Sequence, residues 1–227
     1  MATYEERAAR FDLATPDGRR RAEIDLLWKD HGFLRLAFHN FHWVSAEMAR
    51  ANQPSPAQIA RYARQGFKTI VNLRGPSPTG YYALEREACA EHGVDLVDAP
   101  MGSREAPSKE RIRRAKEIFE TIRYPALMHC KSGADRAGIM AVLYKHFRQG
   151  VPIAQAMDQL SGKYLHVKAG KTGLLDFFFA TYLEETRESG KSFIDWVEED
   201  YEPDRVRDSF RAQWWGTLLT DQILRRE

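Results

Sequence analysis

The feature that most constrains this chain is residues 129–138, which read HCKSGADRAG. They follow the short apolar run 126–128 and precede a helical pattern that begins near Arg136. The sequence therefore predicts a strand, a tight loop and a helix. Such a loop points successive backbone N–H groups inward at the positive end of the helix dipole, where they can bind a phosphate-sized dianion. The same field favours the thiolate of Cys130, which is the nucleophilic form of the side chain.

Arg136 supplies the second chemical group in this stretch. Its planar guanidinium can hold two oxygens of a phosphoryl group bidentately, which a lysine ammonium does less well. His-Cys-x5-Arg followed by Gly138 resembles the signature of the cysteine-dependent protein tyrosine and dual-specificity phosphatase superfamily, in particular its small bacterial members. The resemblance covers roughly residues 44–183.

The resemblance implies a role for each residue of the loop. Cys130 attacks phosphorus, Arg136 stabilises the transition state, and water hydrolyses the resulting cysteinyl-phosphate. The predicted substrate-binding residues are Lys131, Ser132, Gly133, Ala134 and, on the rim of the site, Lys171. Lys168 is a second rim candidate, although solvated lysines are an equal alternative for both. Ala137 stands where many relatives carry Ser or Thr, so the thiolate lacks a hydroxyl partner at that position.

The general acid, which protonates the leaving oxygen, has three candidates. Myotubularins and certain bacterial lipid-active phosphatases resemble this chain in carrying Asp just before the catalytic Arg, the position of Asp135. Many other members use an Asp on an earlier loop, where this chain offers Asp98 and Glu105. We predict Asp135, with Asp98 and Glu105 as the alternatives.

The resemblance implies a substrate that is a phosphoprotein, on Tyr or Ser/Thr, or a phospholipid or inositol phosphate. Lys131 resembles the loop of tensin-type phosphatases that act on phosphoinositides. A catalytically silent pseudophosphatase that docks phosphorylated partners is the rival interpretation. The presence of both Cys130 and Arg136 argues against it.

Composition excludes several other classes of function and structure. The net charge of +2 over 227 residues gives no basic footprint for nucleic acid. Cys89 and Cys130 are the only cysteines, so no disulfide framework is expected. Cys89 is predicted to pack in the core, with a regulatory disulfide to Cys130 as the alternative. Scattered histidines predict neither a metal nor a cofactor.

The N-terminus lacks a signal-peptide core and the longest apolar run, 173–183, is too short to span a bilayer, so a cytoplasmic protein is expected.

Alternating patterns predict an α/β fold with a central, mostly parallel sheet flanked by helices. Strands are expected at 41–45, 47–50, 67–73, 94–99 and 126–128, with helices at 55–65, 82–91 and 107–123 between them. We expect an N-terminal helical extension (1–40), a phosphatase domain (41–188) and a C-terminal helical extension packed on the core (189–227), in which Trp214 and Trp215 are buried. No feature of the sequence indicates an oligomeric state.

The N-terminal extension contains a helix candidate at 18–31 with Ile24, Leu27 and Trp28 on one face. We expect this apolar stripe to pack on the core. Peripheral contact with an anionic membrane is the alternative, because three arginines precede the stripe.

Overall fold

The computed structural model describes residues 3–35 and 38–224, the last stretch 214–224 by its backbone alone. The chain forms two compact units, Met1–Met101 with Thr121–Ala137 and Gly102–Glu120 with Gly138–Glu227. The predicted division at residues 40 and 188 stays a prediction.

The first unit contains a five-stranded sheet. Its strands are β1 (His42–Trp43), β2 (Met48–Asn52), β3 (Thr69–Asn72), β4 (Asp95–Asp98) and β5 (Ala126–Cys130), in the order β1-β2-β5-β3-β4. β1 is antiparallel to β2, and the other neighbours are parallel. The three inner strands β2, β5 and β3 are buried at every residue, as expected for parallel strands covered on both faces. The predicted α/β fold is confirmed.

The strand register places polar residues together at the carboxyl edge of the sheet. Asn52 lies opposite Cys130, while Asn72 lies opposite both His129 and Asp98. Ligands of open parallel sheets bind at this edge. The loop that follows β5 is therefore placed where a bound phosphate is expected.

Four helices of the first unit are α1 (Tyr4–Ala9), α2 (Pro16–Ile24), α3 (Pro56–Arg64) and α4 (Gly80–Glu91). α3 starts where the sequence predicts, because Ser55 and Gln58 form a reciprocal capping box. Residues of α3 and α4 share a hydrophobic cluster with the sheet: Ile59, Tyr62, Ala88 and Cys89 pack with Ala49, Ala51, Ile70 and Leu127.

The helix α2 packs through a different face from the predicted one. Ile24 is 43% exposed and Trp28 is 65% exposed, so the expected packing of their side chains is wrong. Instead Ala22 lies against Gly80, where an added Cβ would be 2.5 Å from the Ala22 Cα, and the Asp25 carboxylate accepts a 2.9 Å hydrogen bond from the Gly80 N–H. The small residues allow a backbone approach that a Trp would prevent.

Beyond Ile24 the chain continues as one π turn (Asp25–Lys29) and a 3-10 turn (Gly32–Arg35). Membrane contact by the exposed side chains stays a prediction. No helix among the described residues is long and apolar enough to cross a bilayer.

The remaining helices are α5 (Lys109–Thr121), α6 (Asp135–Gln149), α7 (Ile153–Ala156), α8 (Leu174–Glu185), α9 (Phe193–Glu199) and α10 (Pro203–Leu224). In the second unit, an aromatic cluster of Phe178, Phe193, Trp196 and Tyr201 joins α8 to α9. The Tyr201 hydroxyl donates to the Pro107 carbonyl at 2.7 Å. The side chains of Trp214 and Trp215 lie outside the described residues.

Candidate active site

Cys130 ends β5, and the loop 131–134 connects it to α6, which begins at Asp135. The thiol is buried, with 2% of the residue exposed. The strand, loop and helix predicted from the sequence are therefore present in that order. They place Cys130 beside the N-terminus of a fifteen-residue helix, where an anion is stabilised.

Four consecutive loop carbonyls accept hydrogen bonds from one surrounding layer of groups. From the start of the loop, these are the Gln53 N–H to Lys131 O (3.4 Å), Asn40 Nδ2 to Ser132 O (2.9 Å), and Arg50 Nη2 to both Gly133 O (2.9 Å) and Ala134 O (2.8 Å). Arg50 is fully buried and Asn40 nearly so.

These contacts determine where the N–H groups of the loop point. In a planar trans peptide the C=O and the following N–H point in opposite directions. A carbonyl held by the surrounding layer therefore turns the next N–H toward the inside of the loop. The Gly133 N–H illustrates this, because it follows the carbonyl bound by Asn40 and lies 3.2 Å from the Cys130 Sγ. By the same argument the Ser132, Ala134 and Asp135 N–H groups turn toward the inside of the loop, and such a concave set of N–H donors is the geometry that binds a phosphoryl group.

Gly133 is required in this loop for two reasons. Its φ of +76° is in the left-handed region, and an added Cβ would lie 2.7 Å from the carbonyl carbon of Ala51. Any side chain here would push the loop away from β2. The glycine thus lets the loop carbonyls reach Arg50 on that strand.

Sequence reasoning missed Asn40, Arg50 and Glu85. Arg50 gave a signal, because a charged residue that follows Met48 and Ala49 in the middle of the strand MARAN needs a buried partner. Asn40 has a φ of +39°, a conformation that Asn tolerates better than most residues. Glu85, on α4, lies with Oε1 2.6 Å from His129 Nε2, and both side chains are fully buried. The histidine of the signature therefore contacts α4.

The two catalytic residues predicted after the loop begin α6. Asp135 is its first residue and Arg136 its second, and both are half-buried. Among the described residues, the Arg136 guanidinium has no hydrogen bond or ion pair, so no protein contact competes with an oxyanion. Ala137 is fully buried, and the hydroxyl of Ser132 lies 3.4 Å from the Ala134 N–H.

The two alternative acids are engaged in other contacts. Asp98 accepts hydrogen bonds from the Tyr82 hydroxyl at 2.6 Å and from Asn72 Nδ2 at 2.8 Å. Burial, and then Asp98 itself, raise the pKa of Tyr82 well above its ordinary value, so the hydroxyl keeps donating its proton. Glu105 lies in the second unit and pairs with Arg111. Both carboxylate oxygens of Asp98 therefore already accept a hydrogen bond from another side chain.

Lys131 lies beside a buried carboxylate. Its Nζ is 3.6 Å from Asp30 Oδ1, while Arg35 and Arg74 donate to the same carboxylate at 2.6 and 2.7 Å. Burial alone would raise the pKa of Asp30, but the hydrogen bonds and charges of Arg74 and Arg35 outweigh it and lower that pKa. Three cations thus surround one carboxylate, which leaves an excess of positive charge next to the loop.

Lys168 and Lys171 belong to the second unit. Lys171 is exposed at the start of a 3-10 turn (Lys171–Gly173), and the Lys168 Nζ is 3.4 Å from Asp176. Their contact with substrate stays a prediction. No group of three or more His, Cys, Asp or Glu side chains that could hold a metal ion is found within the described residues.

Cys89 packs in the cluster between α4 and the sheet and is 2% exposed. Burial, with a smaller contribution from the charge of Glu85, raises the pKa of its thiol to about 12. Disulfide exchange needs a thiolate. The structure therefore favours the predicted packing role of Cys89 over a regulatory disulfide with Cys130.

Comparison with known families agrees with this geometry. Residues 42–173, more than half of the chain, match a family model described as "DSP-PTPase phosphatase fused to NAD+ Kinase". The chain belongs to this family of dual-specificity-type phosphatase domains.

Two curated plant proteins are similar to parts of the chain. Probable NAD kinase 2, chloroplastic, from Oryza sativa subsp. japonica is 28% identical over 127 residues, which are 54% of this chain and 13% of that protein. Inositol diphosphatase DSP4 from Arabidopsis thaliana is 27% identical over 106 residues, which are 44% of this chain and 52% of that protein. The chain thus spans about an eighth and about half of the lengths of these relatives.

The fold is also similar to a solved structure, the core catalytic domain of PP-IP phosphatase SIW14 from S. cerevisiae. The TM-score is 0.50 at 18% identity, with 66% of this chain and 92% of that chain covered. At this identity the likeness shows the fold alone.

Proposed function

We propose that this chain hydrolyses phosphate monoesters through a cysteinyl-phosphate at Cys130. The observation that carries the proposal is the set of N–H groups turned toward the sulfur, with the Gly133 N–H 3.2 Å from Sγ. In the first step the Cys130 sulfur forms a bond to phosphorus, and the bond to the leaving oxygen breaks. In the second step water attacks phosphorus, the P–S bond breaks, and inorganic phosphate leaves. The loop N–H groups and Arg136 stabilise the negative charge of the equatorial oxygens in both steps.

Asp135 is the proposed source of the proton for the leaving oxygen. It is half-buried beside Arg136 at the start of α6. Tyr82 and Asn72 each donate to one oxygen of Asp98, so that carboxyl group is engaged away from a leaving oxygen. In the second step the Asp135 carboxylate takes a proton from the attacking water, which restores the acid.

The proposed substrate is a small molecule with several phosphates on an inositol ring. Lys131 and its neighbours Arg35 and Arg74 carry three positive charges against the one negative charge of Asp30. This excess suits a multiply anionic substrate better than a single phosphotyrosine. The names of two relatives, an inositol diphosphatase and a PP-IP phosphatase, point to the same substrate class.

Cys130→Ser and Arg136→Lys test the mechanism. Release of inorganic phosphate from an aryl phosphate and from inositol hexakisphosphate should be abolished by Cys130→Ser, while binding of vanadate persists. Arg136→Lys keeps the charge but loses the bidentate fork, so kcat should fall by about 10²-fold or more. Arg114→Lys, at an exposed arginine paired with Glu117, is the matched control and should leave kcat unchanged.

Full turnover by Cys130→Ser would refute the covalent mechanism. A wild-type chain that binds these compounds without releasing phosphate would be a pseudophosphatase.

A further inference from the structure

A small cavity lies beside the catalytic loop and is separate from it. Its volume is about 270 Å³, and its lining includes the cationic side chains of Arg35, Arg61 and Arg64, together with His39 and Gln53. This volume is at the lower limit for an organic ligand site but is ample for one phosphate group. The described lining contains no Asp or Glu. The cavity therefore has the charge of an anion site.

Gln53 marks the cavity as a built binding site. The residue is 1% exposed, and its Nε2 has no hydrogen-bond partner within residues 3–35 and 38–224, although its Oε1 accepts a 2.8 Å bond from Arg74. A buried amide N–H without an acceptor is costly, and native structures rarely leave one. An oxyanion in the cavity would supply the missing acceptor.

α3 contributes both its N-terminus and a basic stripe. Ala57, Arg61 and Arg64 line the cavity at spacings of four and three residues, so they share one face of the helix. Ser55 caps α3 by accepting from the Gln58 N–H, and the Ala57 N–H at the second helical position has no acceptor within the helix. Arg61 and Arg64 have no acidic partner among the described residues, whereas Arg35 is paired with Asp30.

His39 presents a further donor. Gln58 Oε1 accepts from the Ser55 N–H at 2.7 Å, which fixes the amide so that Nε2 donates to His39 Nδ1. A neutral His39 then carries its proton on Nε2. The His39 ring therefore brings one more N–H donor to the cavity lining.

The cavity is close to the reacting centre. Gln53 directly follows Asn52, which pairs with Cys130 in the β2–β5 ladder, and the Gln53 N–H donates to the Lys131 carbonyl. Adjacent strands are about 4.8 Å apart. Gln53 thus links the lining of the cavity to the catalytic loop.

We propose that this cavity is a second phosphate-binding site, which holds a phosphate that is not hydrolysed. The inference rests on the proposed function in taking that phosphate as part of the same inositol-type substrate. A free phosphate ion has the same chemistry and is the other source to be distinguished.

Calorimetry on the Cys130→Ser chain tests the site without requiring turnover. Inorganic phosphate should bind with a stoichiometry of two, and the added pair Arg61→Gln and Arg64→Gln should reduce it to one. Inositol hexakisphosphate should bind with a stoichiometry of one, and the pair should weaken it about tenfold or more, because two charge-assisted contacts are lost. The matched control is Arg113→Gln with Arg114→Gln, a pair of exposed arginines on α5.

The binding stoichiometries and affinities distinguish the second site from the proposed function. Two phosphates that fall to one, with unchanged affinity for inositol hexakisphosphate, support the site but assign it to a free phosphate ion. A single phosphate in Cys130→Ser that is unaffected by the Arg61 and Arg64 changes overturns the proposal. Absence of phosphate release by the wild-type chain, with the stoichiometries intact, would refute the proposed function and leave the second site standing.

Discussion

Arg50→Met tests whether the surrounding layer of donors shapes the catalytic loop. The Arg50 Nη2 donates to the Gly133 and Ala134 carbonyls at 2.9 and 2.8 Å, and the side chain is fully buried. Methionine fills much of the same volume but leaves both acceptors without this donor. An unsatisfied buried acceptor costs about 1–3 kcal/mol, so the free energy of unfolding should fall by about 2–6 kcal/mol. A typical domain has about 5–15 kcal/mol, so the variant should still fold at 25 °C.

The catalytic effect should be larger than the loss of stability alone predicts. Without Arg50 the Ala134 and Asp135 N–H groups are no longer held toward the phosphoryl oxygens. Loss of one oxyanion donor costs about 10²–10³ in kcat, so kcat of the folded variant should fall at least 100-fold, and inhibition by inorganic phosphate should weaken in parallel. Urea denaturation and steady-state kinetics on an aryl phosphate measure the two effects.

Lys116→Met is the control, because Lys116 forms an exposed pair with Glu120 at 2.8 Å that should contribute about 0.5 kcal/mol or less. If Arg50→Met shows a kcat and a phosphate inhibition constant within twofold of wild type, the layer does not orient the loop. If Arg50→Met does not fold, Asn40→Ala removes the donor to Ser132 O, together with the 3.1 Å contact between Asn40 Oδ1 and His42 Nε2, and should show the same loss of phosphate inhibition.

Two further predictions concern carboxylates. Asp135→Asn should cost about 10²–10⁴-fold in kcat with phenyl phosphate and much less with a nitrophenyl ester, because a good leaving group needs no proton; an equal loss on both substrates, with the leaving-group dependence found instead in Asp98→Asn, would move the acid to Asp98. Asp30 has a lowered pKa in the folded chain, so its contribution to stability is present above its ordinary pKa of about 3.9 and is lost as the pH falls through the lower folded value. The difference in unfolding free energy between wild type and Asp30→Asn should therefore be largest near pH 7 and shrink below about pH 4; a difference that is constant from pH 7 to pH 2.5 would contradict this reasoning.

The sequence predicted the parts of the site that depend on local pattern. The strand, loop and helix around Cys130 are encoded by adjacent residues, and the position at the carboxyl edge follows from the alternation of strands and helices. Arg50 and Asn40 could not be assigned in this way, because they are 83 and 92 residues from the carbonyls they bind. Only the folded β2–β5 pairing brings Arg50 to the loop.

The packing of helix α2 shows a different limit of sequence reasoning. Periodicity selected Ile24 and Trp28 because they are large and apolar, yet the contact with α4 is made by Ala22 against Gly80. A hydrophobic stripe indicates which side chains would gain from burial. It does not indicate how closely a neighbouring backbone approaches, and here that approach decides which face is buried.

The different surroundings of the two cysteines allow one of them to be labelled selectively. Both are 2% exposed, but burial raises the pKa of the Cys89 thiol to about 12, whereas the Cys130 sulfur accepts a hydrogen bond from the Gly133 N–H beside the N-terminus of α6. An alkylating reagent at neutral pH should therefore react with Cys130. The amount of label incorporated per molecule then gives the fraction of chains with a reactive Cys130. The decrease in labelling when phosphate is added gives the fraction of catalytic loops that hold phosphate. A fluorophore or cross-linker attached in this way would report from the bottom of the loop without any cysteine having to be removed first.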